Sequence, residues 1–377
     1  MNDLSRKTLH MLNSLLIKAG IVVMYTLVIA IFLYLPRFTD LIWKQSKTLN
    51  VYSFTEMISA EALQEFEEQT GISVSITYFE TNEDLYTKFK VTGGEGYDLI
   101  TPSDYMVELL VQENLLHTLD HTKISNIQEL DSRLLNRFYD PKNRYSLPVA
   151  WNVYGVAFDR DVIDVKNDEL SLDVIFKGPS VWKNSGKIGF DSKICMLDDP
   201  FEAVMLAAIY LFGRVDNLST EDYKRIKQLL VEQKKWVECY TNSSLFYYLQ
   251  GNIVPVALTS GLFMRKMAEE TDRFSFMIPK EGSLLGVETL AIPARSKKVV
   301  LAHKLMNFLL SRKISHFHTV EYGSNPGNRM VYPMLDKSII GNPHYFPPDE
   351  WFDKLHQIHN NFPMHIIEKI WLAVKFG

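Results

Sequence analysis

Between Leu49 and Thr101 apolar residues recur first with the period of a strand and then with that of a helix, and the cycle repeats. That alternation confines the chain to βαβ units and a largely parallel sheet. Leu49–Phe54 reads as a strand. Ser59 suits the N-cap of a helix running to Thr70 with Leu63 and Phe66 on one face, and Gly71 suits its left-handed end. Ile72, Val74, Ile76 and Tyr78 then alternate with Ser73, Ser75 and Thr77, the pattern of a half-buried strand. Asn82 opens a helix towards Lys90, Gly93-Gly94-Glu95-Gly96 makes a turn, and Tyr97–Thr101 is a third strand. Two strand ends carry chemistry: Ser53-Phe54-Thr55-Glu56 and Pro102-Ser103-Asp104-Tyr105. Both place hydroxyl, carboxylate and aromatic groups just past the C-terminal end of a strand, where open α/β sheets form ligand crevices.

Further along, Tyr145–Asp159 is mostly apolar and β-prone, as a strand passing from one lobe to another would be. Lys187–Phe190, Ile253–Leu258, Phe274–Ile278 and Glu288–Ile292 also read as strands. Phe201–Phe212, Thr220–Val237 and Lys297–Leu310 read as helices, and from Tyr332 onward prolines punctuate short helices. A length of 377 residues accommodates two domains. The net charge of −5 lacks the basic surplus of a general nucleic-acid binder.

The N-terminus departs from ordinary composition. No residue from Ala19 to Leu35 is charged, and Leu12–Ile17 adds an apolar turn before Lys18. A bilayer core of about 30 Å needs about 20 helical residues; residues 12–35 suffice if Lys18 snorkels to the headgroups. Arg6, Lys7 and Lys18 precede the run, which favours a cytoplasmic N-terminus and export of the remainder. The competing reading is a cleaved signal peptide, but Leu33–Phe38 is bulky and offers no small-residue cleavage site. The expectation is a transmembrane anchor at 12–35, a tether at 36–47 and a periplasmic or extracytoplasmic remainder. Cys195 and Cys239 are the only cysteines. Export permits a disulfide between them; two buried thiols fit equally, and no C-x-x-C pair is present.

Seven short motifs follow one another in order: Tyr52-Ser53-Phe54-Thr55-Glu56, Glu67-Glu68-Gln69-Thr70-Gly71, Glu80-Thr81-Asn82-Glu83, Tyr97-Asp98-Leu99 with Pro102-Ser103, Asp198-Asp199-Pro200-Phe201-Glu202, Ile278-Pro279-Lys280-Glu281-Gly282 and Leu290-Ala291-Ile292-Pro293. Each is weak alone. Their order and spacing from Leu49 to Pro333 resemble the polyamine-binding proteins of ABC importers, which belong to the extracellular solute-binding proteins. The resemblance implies a type II periplasmic-binding-protein fold, two α/β lobes with a hinge. Here that places lobe 1 at 48–153 plus 289–330 and lobe 2 at 154–288 plus 331–377. It implies that Glu56, Asp199, Glu202 and Glu288 face the ligand's ammonium groups. Thr55, Ser103 and Tyr105 match hydroxyl positions, and Phe54 and Tyr322 match aromatic ones. Capture of putrescine or spermidine by hinge closure would follow, with ABC permease subunits and their ATPase as partners and the binding protein a monomer.

The chain departs from that pattern where the family's pocket tryptophans fall at Phe54, Leu258 and Gly286, a tyrosine becomes Met57 and an aspartate becomes Glu288. A same-fold receptor for another small solute, or a membrane-anchored ligand sensor, therefore stands as the alternative. Several site residues also have structural readings. Asp199-Pro200-Phe201-Glu202 is a helix start in its own right, with Asp at N-cap, Pro at N1 and Glu at N3. Glu56 would favour a following helix N-terminus, and Ser103, Tyr105, Tyr322 and Phe54 fit turns or packing. Glu288 is harder to place in a core, because an apolar strand tolerates a carboxylate only if it reaches a partner or a cleft. Catalytic signals are weak: the spaced histidines lack an H-E-x-x-H pattern, and neither a G-x-S-x-G elbow nor a phosphate loop occurs. No enzymatic activity, metal or cofactor is expected.

Overall fold

The computed structural model describes residues 15–29, 31, 47–165, 169–182, 193–241, 244–352, 354–358 and 364–377. In chain order the strands are β1 (Thr48–Phe54), β2 (Ser73–Phe79), β3 (Leu99–Ile100), β4 (Ser146–Asp159), β5 (Ile194–Met196), β6 (Val237–Tyr240), β7 (Val256–Ser260), β8 (Phe274–Met277), β9 (Ser283–Ala291), β10 (Asn325–Pro326) and β11 (Leu355–His356).

The N-terminal repeat forms as its pattern dictates. β1 lies between β2 and β3, parallel to both, with Leu49 opposite Val74 and Tyr52 opposite Ile100. Ser59 accepts the Ala62 N–H at 3.0 Å and starts helix Ala60–Thr70, which buries Leu63 and Phe66. Gly71 ends it at φ 64°, a conformation glycine adopts without a Cβ penalty. The helix Asn82–Thr92 is fixed by a reciprocal capping box between Thr81 and Asp84.

Two antiparallel strands join this sheet to a second one. β4 and β9 pair from Ser146–Ala291 to Val153–Leu285, with an irregularity between Pro148 and Ala150, where proline offers no N–H to the ladder. β9 touches β3 at Ile100–Ala291, while the far half of β4 pairs with β7 and β8. The second sheet then continues through β7 and β5 to β6 at the edge. One apolar cluster gathers Leu49, Phe66, Leu99 and Leu305; another gathers Val156, Ile194, Met205 and Val256. Two α/β lobes thus share two crossing strands.

Several local expectations shift. The third strand is only Leu99–Ile100, because the chain turns at Pro102 into a helix, Asp104–Gln112, where a turn was expected. On the edge strand β2 the alternation fails at its end. Tyr78 is 46% exposed and Phe79 is buried, packed against Tyr52 and Phe54. β9 starts at Ser283, ahead of Glu288, and β5 and β6 had no clear signal because both are very short. The strand expected at Lys187–Phe190 lies outside the described residues. Residues 15–29 are helical, with every residue exposed. Among the described residues no helix is long and apolar enough to cross a membrane. The rest of the expected span, 12–14, 30 and 32–35, and positions 36–46 of the tether lie outside the described residues.

Candidate functional site

A cleft of about 760 Å³ opens where the C-terminal ends of the strands from both lobes meet. β1 ends at Phe54, and Thr55 and Glu56 form the turn that follows; both are exposed at the mouth, Glu56 with φ 58°. A left-handed glutamate is uncommon and worth noting at a ligand site. The hydroxyl of Thr101 donates to Ser53 Oγ at 3.0 Å and accepts the Phe54 N–H at 3.0 Å, tying the ends of β1 and β3 together.

Ser103, the N-cap of helix Asp104–Gln112, makes no cap bond. Its hydroxyl instead donates to Glu288 Oε2 at 2.9 Å and accepts from Asn82 Nδ2 at 3.0 Å. Asn82 Oδ1 in turn accepts the Ser103 N–H at 3.2 Å. Asn82, Ser103 and Glu288 therefore form an oriented chain ending on a carboxylate in the cleft. Burial drives the Glu288 carboxyl up to about 7, opposed by the Ser103 bond and assisted by Asp104. Asp104, itself buried, is also raised to about 7 by loss of water, while Gln357 Nε2 donates to its Oδ2 at 2.6 Å.

The opposite lobe supplies Asp199 and Glu202. Asp199 caps helix Pro200–Phe212, its Oδ1 accepting the Glu202 N–H at 2.9 Å. Tyr154, on β4, donates its hydroxyl to Glu202 Oε1. Burial raises Asp199, and burial together with Asp199 raises Glu202 well above the usual carboxylate range. Glu83 reaches about 7 through burial and the charge of Asp199; its Oε1 accepts from the Tyr105 hydroxyl at 3.3 Å. The Tyr105 ring stacks on Phe201 of the other lobe, with centroids 5.4 Å apart.

Among the described residues the cleft is lined by eight carboxylate residues, Glu56, Glu80, Asp104, Asp198, Asp199, Glu202, Glu270 and Glu288, against one basic residue, Lys266. Buried carboxylates that raise one another's pKa and lack a buried counter-ion define a site complementary to cations. Among the described residues no group of three or more His, Cys, Asp or Glu suited to a metal occurs. The walls between the acids are apolar or aromatic, including Phe54, Tyr105, Tyr154, Phe246, Phe263 and Leu285. Alternating acidic heads and apolar walls suit a ligand with charged ends and a hydrocarbon middle.

Comparison with known proteins gives this geometry a family. The profile of bacterial extracellular solute-binding proteins matches residues 61–332. This chain belongs to that family. A spermidine/putrescine-binding periplasmic protein of Haemophilus influenzae is 32% identical to this solute-binding protein over 305 residues, 80% of this chain and 81% of the relative. A putrescine/agmatine-binding protein of Pseudomonas aeruginosa is 24% identical over 355 residues, 90% of this chain and 94% of the relative. Among solved structures, a candidate spermidine/putrescine ABC transporter protein of Listeria monocytogenes superposes with a TM-score of 0.77 at 25% identity, covering 88% of this chain and 99% of its own. The α/β periplasmic-binding-protein fold is therefore shown, and the family consists of binders rather than catalysts.

Of the site residues named from sequence, Phe54, Thr55, Glu56, Ser103, Tyr105, Asp199, Glu202 and Glu288 line the main cleft of the solute-binding protein. Tyr322 lines an adjoining pocket of about 210 Å³ that shares Phe54, Tyr154 and Glu288 with it. The expected thinning of aromatic walls is only partly seen. Leu258 points into the second lobe's core and is 1% exposed, and Gly286 lies against the Tyr154 ring. Tyr154, Phe246 and Phe263 supply rings that the sequence reading did not identify. Asp104 was also missed as a lining residue, and Glu83 as the carboxylate that meets the Tyr105 hydroxyl, although both stand inside motifs already singled out, one position from Ser103 and Asn82. Trp151 is fully buried at the crossing strands, its Nε1 donating to the Pro326 carbonyl at 3.1 Å, a packing role.

Proposed function

We propose that this protein is the substrate-binding component of a polyamine ABC importer, capturing putrescine or spermidine between its lobes. One observation carries the reading: buried carboxylates from both lobes converge on one cleft, with Lys266 its only basic lining residue among the described residues. One ammonium end would displace water at Glu288, where Ser103 and Asp104 lie beside it. The other would sit between Asp199, Glu202 and Glu83, with Tyr154 orienting the Glu202 carboxylate. Charge-assisted hydrogen bonds of this kind are about twice as strong as neutral ones. The methylenes would lie against Phe54, Tyr105 and Phe246, with cation–π contacts of roughly 0.5–2 kcal/mol at the aromatic faces. Bridging both lobes, the ligand would stabilise the closed state, which docks on the permease and its ATPase.

The periplasmic names of the relatives support an extracytoplasmic location. The uncharged stretch within 12–35, whose described part is a helix with its apolar side chains exposed all round, supports an N-terminal anchor, since such a surface is unfavourable in water. Lobe 1 as 48–153 plus 289–330 and lobe 2 as 154–288 plus 331–377, acting as a monomer, complete the proposal.

Titration calorimetry and thermal shift with putrescine, spermidine, agmatine and glutamate test it. The expected result is a higher Tm with the amines and none with glutamate; at a ligand concentration about 100 times Kd, linkage adds about 2.7 kcal/mol to stability. Selective binding of a neutral or anionic solute instead would overturn it.

A further inference from the structure

The second lobe holds a pair of groups that ligand binding does not use. Cys195 on β5 and Cys239 on β6 are register partners in a parallel ladder. Register partners on adjacent strands point to the same face, and both residues pack in one apolar cluster with Leu245, Leu249 and Tyr248. Neighbouring strands lie roughly 4.8 Å apart, inside the ~4.4–6.8 Å Cα separation that a disulfide spans. Each thiol is the other's strongest electrostatic neighbour, and both are free in the structure.

We propose that Cys195 and Cys239 are the site of an intramolecular disulfide, formed on export, that clamps two segments of the cleft wall. Cys195 is fully buried and Cys239 half-buried, so Cys239 meets the oxidant. Contact with Cys195 and the hydroxyl of Tyr248 favours its thiolate, with Lys375 assisting. The oxidant is a disulfide, carried by a thiol oxidase or a small molecule. The Cys239 thiolate attacks one of its sulfurs and expels the other as a thiolate, leaving a mixed disulfide. Cys195 then gives up its proton and attacks Cys239 Sγ, releasing the oxidant's second sulfur. The two protein thiols lose two electrons and two protons, and the oxidant's disulfide becomes two thiols.

The position explains what such a bond does. β6 is the edge of the sheet, and β5 and β6 are only three and four residues long, so few ladder bonds hold them. β5 runs directly into Leu197, Asp198 and Asp199, all in the cleft. Tyr248, bonded to Cys239, shares the short helix Leu245–Gln250 with Phe246, which lines the same cleft. A covalent tie at this point fixes the foot of both segments.

The test uses the full exported chain, purified without reductant, denatured, and labelled with a maleimide before and after reduction. Neither cysteine labels before reduction and both label after it. Labelling of either one without reduction, or a disulfide-linked dimer, overturns the proposal. In the folded protein, reductant lowers the Tm of the wild type by roughly 5–10 °C and leaves the Cys195→Ala/Cys239→Ala double variant unchanged. No change in the wild type, or the same change in both, also overturns it. Reduction speeds amide exchange at Leu197–Phe201 and Leu245–Gln250 severalfold; unchanged exchange there removes the clamp from the proposal. None of these readouts requires a ligand, so failure of the polyamine reading would leave them intact.

Discussion

At the scale of single residues the cleft is defined by carboxylates that the fold holds at a cost. Glu288 receives one hydroxyl, from Ser103, and Glu202 receives one, from Tyr154. Neither has a cationic partner within salt-bridge distance among the described residues. Replacing either acid by its amide removes a buried charge and keeps the shape. Glu202→Gln and Glu288→Gln should therefore leave the ligand-free Tm unchanged or higher, while each removes most of the putrescine-induced Tm shift. Thermal shift on the two variants measures both effects; a full ligand response in both would refute the site assignment. Tyr154→Phe separates orientation from charge. It deletes the hydroxyl's hydrogen bond to Glu202, worth about 1.5–3 kcal/mol once a bound amine holds that carboxylate ionised, and keeps the ring wall. Putrescine affinity should fall roughly 10- to 100-fold by calorimetry, with little loss of stability. Unchanged affinity would mean that Glu202 is positioned by the helix alone.

Elements explain how Asp199 is both a helix cap and a cleft residue. As N-cap of helix Pro200–Phe212 it satisfies the Glu202 N–H, and from the same place it faces the cleft. Asparagine caps about as well as aspartate, whereas alanine costs about 1 kcal/mol. Asp199→Asn should thus keep the Tm of the ligand-free protein and weaken putrescine binding at least tenfold, while Asp199→Ala should lose both. A Tm loss in Asp199→Asn equal to that in Asp199→Ala, with binding intact, would assign the residue to capping alone. The same element scale shows what was legible in the sequence. Cap, period and glycine stop read correctly for helix Ala60–Thr70, as did the Asp199 cap of helix Pro200–Phe212, since local chemistry decides them. The strands β5 and β6 did not read, because three or four residues carry no period and only the partner strand makes them strands. Glu288 stood out, since a carboxylate on an apolar strand needs a partner or a cleft. Tyr154, Phe246 and Phe263 did not, since an aromatic on a strand or helix looks like core until the tertiary fold leaves one side of it open.

For the whole molecule the decisive property is that the two lobes carry charge of the same sign towards a shared gap. Asp199 of lobe 2 raises Glu83 of lobe 1, and Glu288 and Glu83 both raise Glu202. Like charges resist closure of the empty cleft, and a dication reverses the sign of that interaction. β4 and β9 cross between the lobes and carry Tyr154 and Glu288 themselves, so the crossing strands also supply part of the cleft wall. Proton linkage follows with a definite sign. Glu83 and Glu288, ordinarily near 4.5, and Asp104, ordinarily near 3.8, titrate in the folded ligand-free protein at about 7. Between those limits the folded state holds more protons than the unfolded chain. Their burial is therefore best tolerated below the ordinary carboxylate range, and stability is lost as pH rises through about 7. A bound dication lowers the same pKa values, so it releases protons and its affinity climbs over that interval. The ligand-free Tm should fall from pH 5 to pH 8 while the putrescine-induced increment in Tm grows. Calorimetry at pH 7 in buffers of different ionisation enthalpy should report net proton release. An increment constant across this pH range, or proton uptake on binding, would show that the raised carboxylates are not those that hold the amine.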